Sequence, residues 1–307
     1  MKLQAGQTAV VTGAASGFGL EFCLQAAQRG LNVVMSDVQA DALESAAQQV
    51  QAAGAKVLPC VGDIAQSEAV GTLLQQTLDR FGVPHLLFNN AGVAHGGLIW
   101  EHTERDWDWL LGVNLRGVAH GVRLFTPHML KAARAQAHYQ GHIINTASMA
   151  GLVCAPNMGV YNVTKHAVVA LTETLQQDLC LVTEQVRASV LCPYFVPTGI
   201  SHSHRNRPAE LRSEGKPTAS QLIAQAMSEK AVSSGKVSAA DVAQATFAAI
   251  EAGQFYIYSH PNALAPVQTR LEDVLMSRNP TDPFRDRPEI GQRLRAALHS
   301  GPTDKCA

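Results

Sequence analysis

Charge is sparse in this chain. Charged residues make up 16% of its 307 positions, and 24 Lys and Arg stand against 25 Asp and Glu, for a formal net charge of −1. Without a basic surplus there is no electrostatic footprint for nucleic acid or an anionic membrane surface. Long apolar runs are missing too: none approaches the roughly 18–20 residues needed to cross a bilayer. The opening residues, Met1 to Gly6, lack the apolar core of a secretory signal, so a soluble, cytoplasmic protein is expected. The six cysteines, at 23, 60, 154, 180, 192 and 306, contain no C-x-x-C pair, which argues against a zinc site. Cys23, Cys60, Cys180 and Cys192 lie in apolar runs and read as buried thiols in a reducing compartment.

What the chain does have is rhythm. Short Val/Ile/Leu runs at 8–12, 32–36, 56–61, 85–89, 142–146, 187–192 and 255–258 alternate with helical patterns at 18–29, 40–53, 68–81, 106–133, 159–182 and 239–252. Strand–helix alternation with near-continuous apolar strands predicts an α/β fold, a Rossmann-type doubly wound parallel sheet of about seven strands with helices on both faces. One domain is expected over 1–260, interrupted at 199–236 by a His-, Arg-, Ser- and Lys-rich insertion that reads as a substrate lid. Residues 261–307 read as a C-terminal extension with one helix near 266–276, not as a separate domain.

The first βα turn, Val10-Val11-Thr12-Gly13-Ala14-Ala15-Ser16-Gly17-Phe18-Gly19, joins a strand to a helix through spaced glycines. Glycine lets backbone approach a pyrophosphate, whose charge the helix N-terminus stabilises. Asp37 closes the second strand, where a carboxylate accepts hydrogen bonds from an adenosine ribose and repels a 2′-phosphate. Neither the turn nor Val38-Gln39 supplies an Arg or Lys for such a phosphate, so NAD is favoured over NADP. Asp37 could instead serve only as the N-cap of the next helix.

Tyr161 and Lys165 are four residues apart in a helical pattern and so share one face. A phenol ordinarily holds its proton to about pH 10. Making it a neutral-pH acid/base needs about 4 kcal/mol of differential stabilisation, and a fixed ammonium supplies much of that. Taken singly, Tyr161 and Lys165 could be a solvated helix edge, Ser148 a cap and Asn114 a satisfied amide.

Together, in order, these motifs resemble the short-chain dehydrogenase/reductase family over about residues 6–258. Thr12 to Gly19 is similar to its TGxxxGxG cofactor turn, and Gly62-Asp63-Ile64 to the segment whose Asp meets the adenine. Asn89-Asn90-Ala91-Gly92 is similar to its NNAG element, while Asn114, Ser148, Tyr161 and Lys165 match the catalytic tetrad. The resemblance implies cofactor contacts from Gly13, Ser16, Gly17, Phe18, Gly19, Asp37, Val38, Asp63, Ile64, Asn90, Ala91, Gly92, Tyr161, Lys165, Pro193, Val196 and Thr198. Tyr161 would exchange the proton of a secondary alcohol or its ketone. Ser148 would hold the substrate oxygen, and Lys165 would contact the nicotinamide ribose and lower the Tyr161 pKa. Asn114, through backbone or side chain, would hold a water leading from Lys165 to solvent. No metal is implied.

One departure from the family stands at Pro193-Tyr194, where Pro-Gly is usual. His95, Trp100, Val153, Cys154, Tyr194 and Phe195 are expected to line a pocket suited to a hydrophobic or aromatic alcohol. His202, His204, Arg205 and Arg207 read as a solvated lid surface, with an acidic substrate group or a metal as alternatives. Asn145 to Ser148 and the long tail faintly resemble bacterial dehydrogenases of benzylic alcohols in lignin-derived aryl ethers. Alternatives are an NADP-dependent ketoreductase on the same scaffold and a non-catalytic dinucleotide-binding regulator. The helical stretches 106–133 and 159–182 match those through which the family forms homodimers and homotetramers, with Trp107, Trp109 and Phe125 read as either interface or core.

Overall fold

The apolar runs become seven parallel strands in the structure, a computed structural model that describes residues 1–299. They are β1 (Thr8–Thr12), β2 (Asn32–Asp37), β3 (Val57–Val61), β4 (Leu86–Asn89), β5 (Gly141–Thr146), β6 (Val186–Cys192) and β7 (Tyr256–Tyr258). The sheet order is β3-β2-β1-β4-β5-β6-β7, with Val10 beside Val34 on one flank and Leu87 on the other. β1 is buried along its whole length, which is why these strands carry no polar alternation. Winding reverses between β1 and β4, and a crevice opens at the carboxyl ends of these strands.

Helices α1 (Gly17–Gln28), α2 (Ala40–Ala52) and α8 (Ala239–Ala252) cover one face, over a core containing Phe22, Phe88 and Phe247. Helices α3 (Ser67–Phe81), α5 (Gly117–Ala135) and α6 (Gly159–Val182) cover the other, around Leu73, Phe125, Met129 and Ile143. Trp109 and Phe125 are fully buried, so both belong to the core. Cys180 is exposed, contrary to the buried thiol expected; it lies in the last turns of α6, on the helix side away from the sheet. Among the described residues no helix is long and apolar enough to cross a membrane.

The single helix expected over 106–133 is broken. Helix α4 (Glu104–Leu111) passes through a π-helical turn, Gly112–Arg116, into α5. Within that turn Asn114 faces inward and is fully buried. The polar insertion is also more ordered than its composition suggests. It forms 3₁₀ turns at Gly199–Asn206 and Ala209–Leu211, then helix α7 (Ala219–Ser233), capped by a reciprocal Thr218–Gln221 box. In the tail, α9 (Ala265–Leu275) falls where a helix was expected, and α10 (Pro288–His299) is a further one, packed against α7.

Candidate active site

Two motifs far apart in sequence lock the floor of the crevice. The Thr12 hydroxyl donates to the Phe88 carbonyl (3.3 Å) and accepts from the amides of Asn90 (2.9 Å) and Ala91 (3.1 Å). Asn90 in turn donates to the Thr12 carbonyl at 3.0 Å. Gly13 has φ +64°, and a Cβ there would stand 2.7 Å from the Ala91 Cα. At Gly19 a Cβ would collide with the Gly13 carbonyl, so both positions require glycine.

This floor fits a dinucleotide. Ser16 caps α1 without a side-chain hydrogen bond, and no acid lies in the first helical turn. The leading amides of α1 therefore keep their donors and positive potential for an anion. At the edge of the crevice Asp37 accepts from the Ala15 amide through Oδ2 and from the Gln39 amide through Oδ1, both at 3.0 Å. Its carboxylate is oriented before any ligand arrives. Asp63 accepts from the Ala65 amide at 2.9 Å and stands on the same wall. Of the residues matched to cofactor contacts, all but Gly19 line this crevice; Gly19 lies beneath it as packing.

At the other end Ser148, Tyr161 and Lys165 converge. Ser148 caps a short turn, accepting from the Ala150 amide at 3.1 Å. Tyr161 and Lys165 come from the first turns of α6, with the Lys165 Nζ 5.7 Å from the centre of the Tyr161 ring. Lys165 is buried and donates to the Thr146 carbonyl at 3.0 Å. Burial lowers its pKa to about 8, opposed by nearby Cys192, so the ammonium still predominates at neutral pH. Burial raises the Tyr161 phenol, while a hydrogen bond with Ser148 pulls it down. A cationic ring in the crevice would act in the same direction as Ser148.

Asn114 is fully buried and does not line the crevice. Its amide accepts from the Val93 amide (2.8 Å) and donates to the Val93 carbonyl (2.9 Å) and the Thr164 hydroxyl (3.1 Å). That side chain is occupied in bracing the segment after β4 against α6.

The six residues expected around the substrate separate. Tyr194 lines the crevice, its amide bonded to Ser259 Oγ at 2.8 Å and its ring set edge-on to His260. The bulk that replaces the usual glycine is thus directed partly onto the tail. Phe195 packs beside it with the rings tilted, is 41% exposed, and is not part of the lining. Trp100 is 77% exposed, Cys154 is exposed, and neither they nor Val153 reach the crevice. The apolar wall comes instead from Val93, Trp109, Val113, Ile200, Leu211 and Val232, most of which motif reading did not supply.

His95 belongs to a network beneath the 199–236 insertion. Asp106, fully enclosed, receives Arg207 Nη1 at 2.7 Å, Ser213 Oγ at 3.1 Å and the Thr103 amide and hydroxyl, both at 2.8 Å. His95 and His102 lie 3.6 and 4.0 Å from its two oxygens. Burial raises the Asp106 carboxyl, but Thr103 and Arg207 outweigh it and hold the group below its ordinary range. Burial pushes His95 down to about 4 despite Asp106, and His102 down as well. These three residues bring candidate metal-ligand atoms within 4.8 Å of one another, yet Arg207 already neutralises the carboxylate. The arrangement pins the 199–236 insertion to α4. Arg207 is therefore no solvated lid residue, whereas His202 and His204 are exposed. Further ties run from Ser203 to the Ala94 backbone and from Ser220 to Leu98 and Glu101.

A parallel Rossmann sheet, a glycine-floored anion crevice and a Ser–Tyr–Lys cluster at its end define an oxidoreductase that uses a nicotinamide dinucleotide. Comparison with known proteins agrees: the sequence profile described as short chain dehydrogenase matches residues 7–209, and the chain belongs to that family. A dehydrogenase/reductase of CLA biosynthesis from Lactiplantibacillus plantarum is 32% identical over 88% of this chain and 93% of its own. A C alpha-dehydrogenase from Sphingobium sp. is 30% identical over 96% and 93%. A short chain dehydrogenase/reductase from Burkholderia phymatum, solved in complex with NAD, superposes with a TM-score of 0.89 at 49% identity, covering 92% of this chain and 99% of that one.

Proposed function

We propose that this protein is an NAD-dependent dehydrogenase that interconverts a hydrophobic or aromatic secondary alcohol and its ketone. The observation carrying this reading is the placement of Tyr161, Ser148 and Lys165 at one end of a crevice whose other end presents the pre-oriented Asp37 carboxylate. Gly13, Ser16 and the α1 N-terminus would hold the diphosphate, Asp37 the adenosine ribose, and Lys165 the nicotinamide ribose. Once bound, the nicotinamide supplies the chemistry of hydride acceptance or donation.

The chain's own residues manage the proton. In oxidation Tyr161, as phenolate, takes the hydroxyl proton; in reduction its phenol returns it. Ser148 holds the substrate oxygen within reach, and its hydrogen bond to Tyr161 favours the phenolate. With the Asn114 amide engaged by Val93 and Thr164, the main chain of the π turn is the route left for holding a water beside Lys165. The crevice wall of Val93, Trp109, Val113, Leu211 and Val232 suits an apolar or aryl substituent. The Sphingobium relative, named a C alpha-dehydrogenase, supports a dehydrogenase reading.

A panel of secondary alcohols, each supplied with NAD or NADP and followed by cofactor absorbance, tests the reading. NADH formation from bulky apolar alcohols with kcat/KM favouring NAD is expected; preference for NADP would overturn the role of Asp37. A homodimer or homotetramer through α5 and α6 belongs to the same proposal, and a monomer by sedimentation at micromolar concentration would contradict it.

A further inference from the structure

Two arginines of the insertion, Arg205 and Arg207, face opposite ways. Arg207 turns inward to Asp106, fixing that end of the lid. Arg205 turns outward over the crevice. Its Nη1 donates to the carbonyls of His202 (2.9 Å) and Gly199 (3.2 Å), and its Nε reaches the Gln39 side-chain oxygen at 3.3 Å. Those contacts position the guanidinium at two points. Gly199 follows Thr198, and Thr198 lies 3.4 Å from where a Cβ on Gly17 would project, at the start of α1. Gln39 is on the opposite rim, its amide bonded to Asp37. The guanidinium thus lines the crevice and ties Gly199, next to Thr198 beside the start of α1, to Gln39, next to the Asp37 segment. Among the described residues no carboxylate lies within ion-pair distance of it. Its contacts are neutral oxygens, and they leave the positive charge uncompensated beside a crevice built for an anion.

We propose that Arg205 is a clasp for the diphosphate of the dinucleotide, closing over it from the lid while the α1 amides hold it from below. This rests on the dinucleotide reading above and adds a residue to it that the cofactor-turn motif does not contain. A planar fork of N–H donors is suited to paired phosphate oxygens. Gln39 holds the side chain across the crevice, and its neutral amide is readily exchanged for a charged ligand. The proposal makes the lid part of the cofactor site, so a dinucleotide can enter or leave only when the Arg205–Gln39 contact opens.

Titration of the full-length protein with NADH by fluorescence, and with ADP-ribose by calorimetry, tests the clasp without turnover. Arg205→Ala should weaken both about tenfold or more, the loss expected for a charge-assisted hydrogen-bond pair. Arg205→Lys, which keeps the charge but not the fork, should recover part of that affinity, and added salt should weaken wild type more than Arg205→Ala. Equal NADH and ADP-ribose affinity in wild type and Arg205→Ala would overturn the clasp alone. Failure of the wild type to bind NADH at all would instead overturn the dinucleotide reading. A loss in Arg205→Ala confined to NADPH would assign Arg205 to a 2′-phosphate and refute the diphosphate role.

Discussion

Asp106→Asn should detach the lid from the sheet domain. Asp106 has no exposed surface, its partner Arg207 is 9% exposed, and they meet at 2.7 Å with the guanidinium 5.0 Å above the Trp109 ring. Removing one member of a buried pair strands the other charge at a cost of about 3–5 kcal/mol. The upper figure applies if Arg207 stays in place. The lower applies if the segment carries Arg207 into water and forfeits the Ser213 contact instead. At roughly 2 °C per kcal/mol for a chain of this length, Tm should fall by about 6–10 °C. Thermal unfolding reads the stability, and limited trypsin digestion at Arg205 and Arg212 reads opening of the insertion. The double variant Asp106→Asn, Arg207→Met should regain part of the loss, because it leaves no unpaired charge. A Tm change below about 2 °C with unchanged digestion would refute the burial of this pair as the lid's anchor.

Three further outcomes are expected. Burial holds His95 at about 4 and His142 at about 3, both below the roughly 6.5 of an unfolded histidine. The unfolded chain then binds more protons below about pH 6.5, so the contribution of these two histidines is flat above that pH and lowers stability by about 2–4 kcal/mol on reaching pH 5. A Tm series that stays flat down to that pH would contradict it. Asp37→Ser should raise NADP use relative to NAD in kcat/KM, since it removes the repulsion at the ribose; an unchanged ratio would count against that role. Gly13→Ala should abolish NADH binding, or folding, because its Cβ would press on Ala91 from a left-handed backbone; wild-type affinity there would refute the close approach.

Much of this was readable from residues, for reasons that differ by region. The sheet was legible because its central strands β1, β4 and β5 are buried along their whole length and so read as unbroken apolar runs. The cofactor floor was legible because its contacts belong to short motifs, Thr12 to Gly19 and Asn89 to Gly92, each carrying its geometry in a few residues. The π turn was not, since its residues, Gly112 to Arg116, read as ordinary helix. Helix α7 buries only Ser220, Ala224 and Val232, too weak a stripe for periodicity, although Thr218-x-x-Gln221 was a readable capping signal. The substrate wall and the lid anchor escaped for a common reason: Trp109, Leu211, Asp106 and Arg207 meet only through tertiary folding. A histidine beside the NNAG element looked like a pocket residue because nothing local reveals that Asp106 and the lid enclose it.

On the proposed mechanism Tyr161 carries the proton, while the dinucleotide binds independently of that phenol. Parallel measurement of NADH binding and alcohol turnover in Tyr161→Phe tests it most directly. NADH affinity should match the wild type, while turnover with the best alcohol of the panel should fall by at least about a hundredfold, the lower bound for loss of a general acid/base. Turnover within a few fold of wild type, with binding intact, would contradict the assignment.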